Sequence, residues 1–159
     1  MINRQATALT LTAISILFSS AVFADTTETQ TADMHVKLTV QKSCQVSVGD
    51  MDFGSHASSD GAIDATATAA VTCTNGTSYN LSSDDGHTYA MKNAANSDTV
   101  AYTLSSVKNG TNDLASTGIA QTGTGAEQLI PIYGNVTSDA LALASAGDYT
   151  DTVTLTVSY

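Results

Sequence analysis

The sequence predicts an all-β sandwich, and three observations carry that prediction. Apolar residues recur at every second position in several short runs, turn-forming pairs punctuate the chain at close intervals, and no stretch sustains a helical period. The turn signals are Gly49-Asp50, Asp60-Gly61, Asn75-Gly76, Asp84-Asp85-Gly86, Asn109-Gly110 and Gly147-Asp148. Many short strands separated this way pack as two layers.

Residues 1–24 read as a secretory signal peptide. Arg4 precedes an apolar run that ends Ala21-Val22-Phe23-Ala24, with cleavage expected after Ala24. Residues 25–42 form an amino-terminal arm, and residues 43–159 one β domain. The first part of the arm, Asp25 to Asp33, is polar and poor in structure signals. Met34, Val36, Leu38 and Val40 then alternate with His35, Lys37 and Thr39, which makes a strand with one apolar face.

The domain's files follow in order. Cys44, Val46 and Val48 make the first, and Ile63, Ala65, Ala67, Ala69, Val71 and Cys73 the second. Tyr79 and Leu81 belong to a shorter run, and Val100, Tyr102 and Leu104 form another. Lys108 to Glu127 is rich in Gly, Thr, Ser and Asn and reads as a long loop or weak hairpin. Leu129 to Val136 is apolar on both faces, with Pro131 suiting a strand start or an edge.

The last run, Tyr149, Val153, Leu155, Val157 and Tyr159, alternates with Thr and Ser. So apolar a strand needs neighbours on both edges, because an unpaired edge invites association. The arm could supply the missing neighbour within the same molecule or in another. Only Gln41, Lys42 and Ser43 join it to the Cys44 strand, and three residues span about 10 Å. That allows a tight hairpin beside Cys44 but makes crossing to a distant edge difficult, which favours exchange between molecules.

The formal net charge is −10, and Lys37, Lys42, Lys92 and Lys108 are the only lysines. Without a basic patch or arginine forks, nucleic acid is not an expected partner, and the acidic surplus argues against anionic lipid. No membrane insertion of the processed chain is expected. In an exported chain the cysteine pair Cys44 and Cys73 is expected to form a disulfide, and a bridge between two early strands disfavours an up-and-down barrel. His35 sits on the arm's polar face, while His56 and His87 sit beside turn residues. All three read as solvated, and no spacing suggests a metal site. Asp84-Asp85-Gly86 lacks the ligand spacing of a calcium loop, and no G-x-S-x-G or free thiol suggests a nucleophile. Neither an enzyme nor a cofactor site is expected.

Several blocks resemble the spore coat protein U domain family. They are Cys44-x-Val46, Asp52-Phe53-Gly54, and Val71-Thr72-Cys73-Thr74-Asn75-Gly76 with Tyr79-x-Leu81. Further on come Met91, Ala101-Tyr102-x-Leu104, Pro131-Ile132-Tyr133-Gly134 and Gly147-x-Tyr149-x-Asp151-Thr152-Val153. The chain departs from the family at Ser105, where many members carry an aromatic, and in having no tryptophan.

This family includes subunits of archaic chaperone–usher pili, and the resemblance implies an immunoglobulin-like sandwich lacking its last strand. It implies completion by donor-strand exchange: a periplasmic chaperone lends a strand, which the next subunit's arm replaces at the outer-membrane usher. On this chain the implied donor residues are Met34, Val36, Leu38 and Val40. The implied acceptor groove takes Val153, Leu155, Val157 and Tyr159 on one flank and Val46 and Val48 on the other. A structural pilin at the cell surface, serving adhesion and biofilm formation with copies of itself or other pilins as neighbours, is the expected role. A monomeric self-complemented binding module, or a spore or cell-surface coat protein of the same fold, is the alternative.

Overall fold

A computed structural model describes residues 27–84, 86–110 and 113–159. The expected signal peptide lies outside the described residues. The chain divides into two units, Met1–Leu38 and Thr39–Tyr159. In the first, residues 27–38 carry no helix or strand, and every one is exposed.

In the second unit, the first sheet has the order β1-β2-β8-β6. Its strands are β1 (Cys44–Val48), β2 (Ile63–Cys73), β8 (Glu127–Val136) and β6 (Thr103–Ser105). The long β2/β8 pair is antiparallel, from Ile63 opposite Val136 to Thr72 opposite Glu127. Facing residues in such a pair share one side of the sheet. Ala67 therefore lies beside Ile132, and Ala69 beside Ile130, all four buried. Small residues on one strand make room for large ones on the next, which is how this face packs densely.

The opposing layer has two short sheets. One is ordered β10 (Leu155–Ser158), β3 (Ser78–Ser83), β7 (Ile119–Thr122), and the other β5 (Thr99–Ala101), β4 (Ala90–Asn93), β9 (Tyr149–Thr150). Leu81 and Tyr79 of β3 meet Val71 of β2 and Ile130 and Ile132 of β8 in one core cluster. The alternation read in the Ile63–Cys73 file is matched by burial of Ala65, Ala67, Ala69, Val71 and Cys73.

Two segments differ from the sequence expectation. Residues 108–127 are not a plain loop: they contain the one-turn helix α1 (Asp113–Ser116) and β7, which pairs with β3. Leu114 is fully buried and anchors this segment despite its polar composition. The β8 strand is not apolar on both faces in use, since Ile130, Ile132 and Val136 are buried while Leu129 is 65% exposed. Nor is β8 an edge along its whole length. Thr68 directs its carbonyl at Gly49, so its partner Pro131 turns its nitrogen away from β2. On that side β6 ends at Ser105, opposite Tyr133, so the proline interrupts no described ladder bond. A second helix, α2 (Ser138–Ala142), starts at Thr137, whose side chain accepts a bond from the Ala140 amide at 3.2 Å.

Candidate functional site

The site begins with two sheet edges that lack partners. Among the described residues, β1 pairs only with β2 and β10 only with β3. Val46 faces Val71 and Val48 faces Ala69 across the ladder, so both valines point to the core side. Yet Val46 is 38% and Val48 47% exposed, whereas Val71 and Ala69 are fully buried. Among the described residues the opposite layer, where β10 comes close to β1, covers that end of the face only in part. On the other edge, Leu155 faces Ser83 and Val157 faces Leu81, again on the core side and only half-buried.

Between the edges runs a cleft of about 390 Å³. One wall is Val48 with the following Gly49–Phe53 segment, and the other is Tyr149–Val153 with Leu155. Its floor comes from Ala67, Met91, Tyr102, Leu104 and Ile132. A second cleft of about 740 Å³ shares Met51, Phe53, Met91, Tyr149 and Thr150 with it and extends toward Leu141 and Ala144. The segment after β1 lies close over β8 because Gly134 has no side chain: a Cβ there would meet the Phe53 ring at 2.8 Å and clash with Met51.

The 151–154 wall is held by polar straps rather than by strand pairing. Tyr102 donates its hydroxyl to Asp151 Oδ2 at 2.8 Å, His87 Nε2 lies 2.9 Å from the same oxygen, and the Thr152 amide donates to Oδ1 at 2.8 Å. The Thr154 amide donates to Asp84 Oδ1 at 2.8 Å. Burial alone pushes the Asp151 carboxyl up, but the bonds from His87, Tyr102 and Thr152 outweigh it and hold the group below the usual range. Tyr102 is pushed the other way, first by burial and then by Asp151, so its phenol stays protonated. Rings stack edge-on through this strap: Tyr102 against Phe53 at 6.2 Å and against Tyr89 at 5.6 Å, with Tyr89 bonded to Ser83.

His87 is therefore not the solvated histidine that its turn context implies. Its side chain is only 18% exposed, because Asp151, distant in sequence, is brought onto it. His56 is likewise engaged, with Nε2 2.8 Å from the Phe53 carbonyl and Nδ1 3.2 Å from Asp60. His35 is exposed.

Of the acceptor residues expected from sequence, Val48, Val153 and Leu155 line the first cleft. Val46 and Val157 lie on the same two strands, β1 and β10, which come close to each other, but do not line this cleft. Tyr159 lies past the end of β10 and is 58% exposed. Met34, Val36, Leu38 and Val40 are 84%, 81%, 87% and 70% exposed. Cys44 and Cys73 form a disulfide at a directly facing position of the β1/β2 ladder.

Sequence reasoning did not find Met51, Phe53, Met91, Tyr102 or Ile132 as lining residues. Met51 and Phe53 carried a usable signal, since after Gly49-Asp50 they start a new alternation, one position out of phase with β1, with Asp52 between them. The Tyr102–Asp151–His87 strap carried none, because its members are remote in the chain.

No curated protein matches the sequence. Among solved structures, the fold is similar to a chain in the crystal structure of the CsuC–CsuE chaperone–tip adhesion subunit pre-assembly complex from archaic chaperone-usher Csu pili of Acinetobacter baumannii. The TM-score is 0.55 at 20% identity, over 76% of this chain and 41% of that one. This chain thus spans about two fifths of that relative's length, and the likeness identifies an immunoglobulin-like sandwich. The Spore Coat Protein U domain model matches residues 30–156, well over half of the sequence. The chain belongs to the Spore Coat Protein U domain family.

Proposed function

We propose that this protein is a structural subunit of a chaperone–usher surface pilus that polymerises by donor-strand complementation. One observation carries the reading: a sandwich with an open apolar groove between two unpaired edges sits on the same chain as an exposed arm of alternating apolar residues. The groove lacks one strand, and Met34, Val36, Leu38 and Val40 have the period of the strand it lacks. Adding a strand there gives both edges a hydrogen-bond partner and covers Val46, Val48 and Leu155.

In this reading residues 1–24 direct export. A periplasmic chaperone covers the groove first; the similar Csu structure is a complex of a chaperone with a pilus subunit before assembly. At an outer-membrane usher, the arm of the next subunit takes its place. A contact in which each copy gives one surface and receives with another does not close, so repetition builds a fibre. At the cell surface such a fibre supports adhesion and biofilm formation.

The test compares the secreted chain from Asp25 with one lacking residues 25–42, each run in SDS with and without heating. The reading predicts a heat-sensitive ladder from the first and only monomer from the second. Monomer alone from the full chain, expressed with its own chaperone and usher, points instead to a self-complemented module.

A further inference from the structure

The apolar face of the arm accounts for its fit to a greasy groove but leaves its polar face unused. That face is cationic. Residues 34–42 carry Lys37 and Lys42, with His35 and no acidic residue, in a chain whose net charge is −10. The groove carries the opposite sign. Asp50 lines the first cleft, and Asp52 and Asp148 the second, while no lysine lines either.

The geometry of the rim matches that of the arm. Met51 and Phe53 turn inward and pack against the core, while Asp50 and Asp52, which alternate with them, are exposed. A strand laid in the groove with its apolar residues inward turns its polar residues outward, onto the same side as these two carboxylates. His35 and Lys37 are two residues apart, as are Asp50 and Asp52. Residues 49–57 carry no strand, so the attraction runs between side chains on one rim of the groove rather than across a ladder.

Resting on the donor-strand reading, we propose that the occupant is selected by charge: Lys37 of one copy's arm, with His35 beside it, lies against Asp50 and Asp52 of the next copy. The acidic rim then steers the cationic arm toward the groove and disfavours strands with an acidic polar face. Asp151 takes no part in this selection, since its carboxylate is already held by Tyr102 and His87.

The test uses the full chain from Asp25, with the rate of SDS-resistant ladder formation as readout. Lys37 is on the exposed arm and Asp50 is exposed, so Lys37→Glu and Asp50→Lys leave the core untouched; Asp52 is avoided because it accepts the Gly54 amide at 2.7 Å. Each single reversal is expected to slow assembly roughly tenfold in low salt, and the double variant to recover most of that loss. Raising salt from about 0.1 M to about 1 M shortens the screening length from about 10 Å to about 3 Å and is expected to erase the differences. Leu38→Asp separates the two layers of the argument. If it blocks assembly while Lys37→Glu and Asp50→Lys run at the wild-type rate, charge selection is overturned and the donor-strand reading stands. If both reversals slow assembly but their combination does not recover it, the pairing of arm with rim is overturned. If Leu38→Asp itself assembles normally, both are overturned.

Discussion

Reduction of the Cys44–Cys73 bridge isolates the strand that borders the groove. The bridge joins residues 29 apart in sequence and ties β1 to β2. Beyond this bridge and the ladder to β2, packing holds β1 weakly, since Val46 and Val48 are 38% and 47% exposed and its outer edge is unpaired among the described residues. For a closed loop of about 30 residues the chain-entropy model gives roughly 3.5 kcal/mol of stabilisation. With a urea dependence of about 2 kcal/mol/M, that corresponds to a midpoint roughly 1.7 M lower after reduction. The comparison needs only the same chain, oxidised and reduced, followed by far-ultraviolet circular dichroism through a urea series. Using one chain avoids the cavity that a cysteine substitution at the buried Cys73 opens. Hydrogen exchange adds a local readout: amides of β1 are expected to lose protection on reduction before those of the β2/β8 pair. Coincident midpoints and unchanged β1 protection would refute the reasoning that the bridge, rather than packing, fixes this wall of the groove. In the periplasm, replacing both cysteines by Ser is expected to lower folded yield for the same reason.

Other perturbations probe the groove and the arm separately. In the proposed complex, Leu38→Asp exchanges the burial of a leucine, worth about 2 kcal/mol, for an unpaired carboxylate in an apolar site. It is expected to abolish the SDS-resistant ladder while the domain keeps its urea midpoint, and a normal ladder contradicts the donor assignment. Gly134→Ala places a Cβ 2.8 Å from the Phe53 ring; the overpacking is expected to cost about 1–2 kcal/mol, lowering the urea midpoint and pushing Phe53 into the cleft, whereas an unchanged midpoint shows that the wall gives way freely. Asp151 has a folded pKa below its unfolded value of about 3.9. Its contribution is therefore present above that pH and is lost as pH falls through the folded value. Asp151→Asn is expected to flatten the acid side of the thermal-midpoint profile below about pH 4, and parallel profiles for the two proteins contradict the strap.

Much of the fold is legible because alternation is a local signal. The Ile63–Cys73 file could face only one way, as its small and branched residues fit a buried strand and its Asp and Thr residues fit solvent. The cysteine pair was legible from export and parity. Val48 in one file and Val153 and Leu155 in another were legible as apolar positions of strands, and all three line the first cleft. The floor was not, since Ala67, Tyr102 and Ile132 read as ordinary core residues and are in fact buried, and only the tertiary arrangement shows that they line a cleft. The strap was hidden for a different reason. Asp151 reads as a polar break before a strand until Tyr102 and His87, separated from it by 49 and 64 positions, are seen to meet it. The segment from Lys108 to Glu127 misled because a single residue, Leu114, supplies its anchor and composition averages that away.

The central claim is that the arm of one copy occupies the groove of another. It is tested most directly by placing a photoactivatable cross-linker at position 38 and assembling a mixture of isotope-labelled and unlabelled chains. The cross-linked peptides in the heat-sensitive species are then identified by mass spectrometry. The account predicts links from position 38 to groove residues such as Val48, Ile132 or Leu155, with labelled and unlabelled peptides joined in mixed pairs. Links confined to peptides of the same isotopic label, or to surfaces away from the groove, would contradict it.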